Sequence, residues 1–105
     1  MHHTRKYYVY IMVNKHKTVL YTGITNNLRD RIQQHFEGKV RGFTRKYNCK
    51  FLVFYEVFED VHQAVSREKT IKGFRREKKE ALINKMNTEW KFLNRMIEMS
   101  DDKYL

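Results

Sequence analysis

Proline is missing from this chain, and cysteine occurs once in its 105 residues, at position 49. A lone Cys49 cannot close an internal disulfide, and it excludes a multi-cysteine zinc site. The lack of proline argues against an extended tether, and neither internal repeats nor a linker composition breaks the chain. No apolar run approaches the ~18 residues needed to span a bilayer, and no signal-peptide pattern opens the sequence. His2 and His3 are too few to form a metal tract. These absences point to a single domain, residues 1–105, folded in a reducing cytoplasm. At this size a domain buries roughly 60–70% of its unfolded surface, enough to fold without staples.

Acidic residues are also scarce. Lys and Arg number 22 against 12 Asp and Glu, for a net charge of +10. The excess is uneven: residues 1–50 hold 11 basic and 2 acidic groups, residues 51–75 hold 4 and 4, and residues 76–105 hold 7 and 6. A half-chain this basic attracts phosphate backbones through counterion release. Nucleic acid is the partner expected from it, and the lack of a long apolar run argues against a membrane.

What is present reads as an α/β (α+β) domain, a small antiparallel sheet with helices over it in one layer pair. Tyr7 to Val13 is aromatic and β-branched, a strand whose near-continuous apolar character suggests burial on both faces and a central place. Asn14 to Lys17 is a polar break of hairpin length, so a second strand, Thr18 to Gly23, returns antiparallel. Thr25, Asn26 or Asn27 can then cap a helix with Leu28, Ile32 and Phe36 on its inner face, stopped by Gly38. Residues 37–50 read as a basic loop in which Arg41, Arg45 and Lys46 can track phosphates. Residues 51–57 form a third strand. Glu59-Asp60 opens a helix with Val61, Ala64, Val65 and Ile71 inside, ended or bent by Gly73. Another helix, Arg75 to Met86, turns Ala81, Leu82 and Ile83 inward. Trp90, Leu93, Met96 and Ile97 keep helical spacing, which makes residues 91–105 an amphipathic segment and tail beyond a core of about 6–90.

Phosphodiester cleavage with a metal needs a metal carboxylate, a proton acceptor, a cation for the phosphate and help for the leaving group. Mg²⁺ keeps several waters, so one carboxylate is enough. Glu68 is the acidic residue of a helix interior flanked by basic groups. Taken singly it pairs with Lys72 at i+4, an interaction of ~0.2–0.5 kcal/mol. Tyr10 and Tyr21 taken singly are packing residues, Arg31 a surface residue and His35 a solvated one. Their functional readings are water-handling phenols, a guanidinium fork on a phosphate oxygen, and a proton-transfer partner.

Tyr8-Val9-Tyr10 followed by Tyr21-Thr22-Gly23 resembles the paired tripeptides that name the GIY-YIG nuclease family. The match continues through Asn27-Leu28, Arg31, His35 and Glu68 in SREKTIKGF. Lys72 and Asn87-Thr88-Glu89-Trp90 are most similar to the small stand-alone, UvrC-like (YhbQ-like) branch. The resemblance implies a three-stranded antiparallel sheet and a one-metal DNA endonuclease, with a place in repair or recombination. In that reading Tyr21 or Tyr10 positions or deprotonates the attacking water, and Arg31 stabilises the pentavalent phosphate. Glu68 holds Mg²⁺ or Mn²⁺, and His35 supports proton transfer or phosphate contact. Arg29, Arg41, Arg45, Lys46 and Lys72 bind nucleic acid, and Asn84 or Asn87 is the counterpart of an asparagine found in some family sites. Tyr8 replaces the first glycine of the name, and Ile24 stands where some repair nucleases carry lysine. The alternatives are a non-catalytic nucleic-acid-binding module of the same fold and a protein-interaction scaffold.

Overall fold

The computed structural model describes residues 5–99. Strand β1 (Tyr7–Val13) lies at the centre of a three-stranded antiparallel sheet, between β2 (Leu20–Thr25) and β3 (Phe51–Phe58). Its residues from Tyr8 to Val13 are all buried, as the continuous apolar run requires. Helices α1 (Leu28–Phe36), α3 (Val61–Lys72), α4 (Arg76–Met86) and α5 (Asn94–Met99) flank the sheet, and α2 (Phe43–Lys46) is a single turn.

Alternation along β1 sorts the core into two faces. Tyr8, Tyr10 and Met12 pack with Leu28 and Ile32 of α1, Cys49, Leu52 and Ile97 of α5. Val9, Ile11 and Val13 pack with Val53, Phe54, Ala64 and Ile71 of α3, and Ile83 of α4. Helices therefore cover both faces, and the expected layer pair becomes three layers. A bulge helps: Ile11 faces Phe54 while Met12 faces Leu52, so Val53 is an extra residue on β3. Val53 and Phe54 consequently share one face despite being consecutive. The Val53 carbonyl accepts from Asn87 Nδ2 at 3.0 Å.

Local chemistry explains where several boundaries depart from the sequence reading. The second strand begins at Leu20, two residues later than expected. The Asn14 side chain holds the preceding turn by accepting from the Thr18 and Val19 amides at 2.8 and 3.0 Å. Asn27 is the cap of α1, accepting from the Asp30 amide at 3.1 Å. The buried stripe of α1 is Leu28, Ile32 and His35, and Phe36 is 49% exposed instead of inward-facing. Asp60 caps α3 through the His62 amide. On α3 Val61 is exposed, and on α4 Ala81 is exposed while Ile83 is buried. Helical spacing from Trp90 to Ile97 does not make one helix. Asn87 accepts from the Lys91 amide, Trp90 takes a left-handed φ of 55°, and the helix starts only at Asn94. Met96 is exposed on it. The expected tail beyond Met99 lies outside the described residues.

The start of β3's outer edge is covered by that C-terminal segment. Asn94 accepts from the Leu52 amide at 2.7 Å and donates to the Lys50 carbonyl at 2.9 Å, while the Leu93 amide donates to the Leu52 carbonyl. A single side-chain amide thus stands in for a neighbouring strand.

Candidate active site

The site forms on the Tyr10 face of the sheet, where β1 and β2 run beside α1. Tyr10 stands directly across from Gly23 of β2, and Met12 across from Tyr21. Residues opposite each other in an antiparallel pair share a face, so both phenols project toward α1. The glycine is needed for space: a Cβ on Gly23 would sit 2.5 Å from the Tyr10 ring and hydroxyl. The Tyr10 ring lies over bare backbone and reaches His35.

Tyr10 Oη and His35 Nε2 are 2.9 Å apart, and His35 Nδ1 is 3.0 Å from Thr44 Oγ1. All three residues are buried. Burial, and secondarily the Arg31 guanidinium, hold His35 down at about 4, so the imidazole is neutral near pH 7. A neutral imidazole donates from one nitrogen and accepts at the other. Two proton arrangements satisfy the chain. In one, Tyr10 donates to Nε2 and Nδ1–H donates to Thr44; in the other, both bonds reverse. Burial first, then the nearby Tyr21, push the Tyr10 phenol upward; Arg31 opposes that rise and Glu68 adds to it. Tyr10 thus keeps its proton.

Tyr21 is half-buried, with its ring centroid 6.4 Å from Tyr10 and 5.6 Å from His35. Of the two candidate tyrosines it is the one open to water. Arg31 is half-buried one helical turn before His35, and its charge acts on both Tyr10 and His35. Glu68 arrives from α3, on the other side of the sheet, yet its charge also reaches Tyr10. Its side chain is 13% exposed and accepts from Lys72 Nζ at 2.7 Å. That hydrogen bond raises Lys72, which also feels Tyr21. Tyr10, Tyr21, Arg31, His35, Glu68 and Lys72 therefore share one electrostatic neighbourhood spanning the sheet's β2 side.

Among the described residues, no three His, Cys, Asp or Glu side chains gather as a metal cluster. The donor set fits a hard, water-rich cation such as Mg²⁺, with Glu68 as its carboxylate and water or phosphate oxygens as the other ligands. It does not fit a zinc-type cage of side chains.

The remaining candidates separate. Arg41, Arg45 and Lys46 are exposed on and before α2. Arg29 is directed elsewhere: its Nη2 donates to the Glu98 carbonyl at 2.8 Å and ties α1 to α5. Asn87 is buried, with Nδ2 donating to the Val53 and Lys91 carbonyls. Asn84 accepts from the Trp90 indole. Both asparagines hold the turn after α4 and do not extend to the phenols.

Three contributors escape the sequence reading. Thr44 looked like one polar residue of a basic loop, and its burial against His35 depends on α2. Lys79 and Phe43 are the others. The Lys79 ammonium is pushed down by burial and by Lys72, and Phe43 stacks on Tyr21 with centroids 6.3 Å apart and planes at 25°. Phe43 offered a signal as an aromatic in a loop of cations.

Residues 6–87 match the GIY-YIG catalytic domain. The chain belongs to the GIY-YIG family. Within it, the similarity is to UPF0213 proteins, the YhbQ-like branch. The chain is 44% identical over 77 residues to UPF0213 protein CPE1444 of Clostridium perfringens, covering 73% of this chain and 82% of that one. It is 40% identical over 78 residues to UPF0213 protein SH2523 of Staphylococcus haemolyticus, covering 74% and 94%. The solution structure of UPF0213 protein BH0048 from Bacillus halodurans superposes with a TM-score of 0.54 at 29% identity, covering 90% of this chain and 97% of that one. GIY-YIG membership places the chain in a nuclease family and supports a nucleic-acid substrate. No helix among the described residues is long and apolar enough to cross a membrane.

Proposed function

We propose that this protein is a metal-dependent endonuclease that hydrolyses phosphodiester bonds in DNA. The observation that carries the reading is the convergence of Tyr10, Tyr21, Arg31, His35 and Glu68 from β1, β2, α1 and α3 into one field. Tyr21 meets the attacking water at the open side and accepts a hydrogen bond from it. Arg31 faces the phosphoryl oxygens, where negative charge grows in the transition state and a preorganised cation has the greatest effect. Tyr10 keeps its proton and, through His35 and Thr44, forms a buried chain that fixes the tyrosine pair. Glu68 would hold Mg²⁺ or Mn²⁺, which when bound supplies Lewis-acid stabilisation of phosphate charge. Lys72, 2.7 Å from Glu68, would offer its ammonium to a phosphate beside that carboxylate. Repair or recombination is the setting suggested by the UvrC-like resemblance.

A second reading, a DNA-binding module without chemistry, is favoured by one observation: Glu68 is already neutralised by Lys72 at 2.7 Å. Wild type, Glu68→Ala and Arg31→Ala incubated with labelled DNA in Mg²⁺, Mn²⁺ or EDTA separate the two. Cleavage by the wild type alone, abolished by EDTA and reduced ~10²–10³-fold by Arg31→Ala, is expected. Intact DNA with the wild type, or equal cutting by all three, ends the nuclease reading.

A further inference from the structure

Around Tyr21 an aromatic stack leaves the site and comes to the surface. The Tyr21 ring stacks on Phe43, and Phe43 lies against Tyr47 with centroids 4.7 Å apart. Phe43 is 48% exposed and Tyr47 41%. Two adjacent large rings are thus left open beside the candidate site, outside both buried core clusters.

Phe43 also forms one wall of a groove of about 240 Å³. Arg76 and Lys79 of α4 line it as well, together with Thr18, Val19 and Leu20 leading into β2. Arg76 is held in place by the Lys17 and Thr18 carbonyls and by Glu80. Lys79 is close enough to Lys72 for the two ammonium groups to repel, and Lys72 stands at Glu68. Cationic side chains, Arg76 paired with Glu80, then Lys79, then Lys72 paired with Glu68, thus extend from the groove toward the candidate active site. On the other side of the rings, Lys46 lies 5.4 Å over the Tyr47 ring, and Arg41 and Arg45 are exposed nearby in sequence. The one carboxylate of this segment, Glu37, is paired with Lys39.

An aromatic wall beside a cationic wall is matched by a polyanion whose flat apolar groups are free to turn outward. Paired bases in a duplex are stacked on one another and unavailable, whereas unpaired bases stack on aromatic side chains with little regard to sequence. We infer that the groove between Phe43 and Arg76–Lys79 receives an unpaired DNA strand, whose bases stack on Phe43 and Tyr47 while its phosphates follow Arg76, Lys79 and Lys72 to Tyr21. The substrate class is therefore DNA with a single-stranded segment beside the scissile bond. The inference rests on the phosphodiesterase reading of the site.

The test uses the full chain in EDTA with a single-stranded oligonucleotide carrying 2-aminopurine and with the same sequence annealed to its complement. Wild type is expected to bind the single strand more tightly than the duplex and to quench the 2-aminopurine as it stacks. Phe43→Leu, which keeps apolar volume against Tyr21, and Tyr47→Leu are each expected to weaken single-strand binding about 10-fold and to remove quenching. The single-strand preference then shrinks toward one. If wild type shows no such preference, or both variants bind and quench as wild type does, the stacking platform is wrong; Mg²⁺-dependent cutting by wild type still stands apart from that result. If wild type neither binds nor cuts any DNA at low salt, the phosphodiesterase reading falls and the platform with it.

Discussion

The two faces of β1 carry the same alternation of residues and have been filled in opposite ways. Val9, Ile11 and Val13 meet aliphatic and aromatic side chains of β3, α3 and α4, with the Thr22 hydroxyl buried across from Ile11. Tyr8, Tyr10 and Met12 meet a core that is penetrated by His35 and Thr44. The first face draws its stability from apolar area removed from water, which is tolerant of the identity of its members. The second holds buried polar groups whose cost is offset only while every partner is present. The difference locates the buried polar chain of the candidate site on the Tyr10 face, while Glu68 reaches it from α3 on the aliphatic side.

That contrast can be broken from either side. Ile11→Ala on the aliphatic face is expected to have the largest effect on stability, ~2–5 kcal/mol, read from the urea midpoint. Cleavage per folded molecule should be retained, and a selective loss of cleavage at unchanged stability would reverse the assignment of roles. Thr44→Val on the other face removes one hydroxyl at nearly constant volume and leaves His35 Nδ1 without its partner, for an expected ~1–3 kcal/mol. Cleavage should fall and its pH profile should shift, and Thr44→Ser should restore both. Wild-type behaviour of Thr44→Val would remove Thr44 from the chain.

The last test is a pH slope. Unfolded, an imidazole titrates near 6.5, whereas folded His35 lies at about 4. Between those values the unfolded chain binds the extra proton, so the contribution is complete above about 6.5 and is lost as pH falls toward 4. The slope is at most ~1.4 kcal/mol per pH unit. His35→Gln, which keeps hydrogen-bonding capacity without titrating, should flatten stability over that window. Superimposable stability curves for the two proteins would show that burial does not hold His35 neutral.

The sheet was legible because its signals are local. The apolar run of β1 requires two covered faces, and Asn27 and Asp60 cap their helices through contacts two or three residues away. The i+4 spacing of Glu68 and Lys72 likewise makes an ion pair. The site was legible in its residue types and less so in its connections. Arg29 and Arg31 look equivalent in sequence, yet α1 turns one to the Glu98 carbonyl and the other toward Tyr10. His35 occupies an inward position that the fourfold spacing assigned to Phe36, because Leu28, Ile32 and His35 follow the four-then-three spacing of the same face. Thr44 could not be read at all, since it lies nine positions from its partner, across the irregular chain between α1 and α2. Asn87 has the right type for a site residue and is taken up by a β-bulge whose existence depends on long-range pairing.

Asn94 has a consequence for how copies of this protein coexist at high concentration. A three-stranded sheet has two open margins, each a template on which another chain could continue the ladder. Asn94 presents one amide group to Lys50 and Leu52, so the first residues of one margin already have their partners. A neighbouring copy would have to displace Asn94 to continue the ladder from that end.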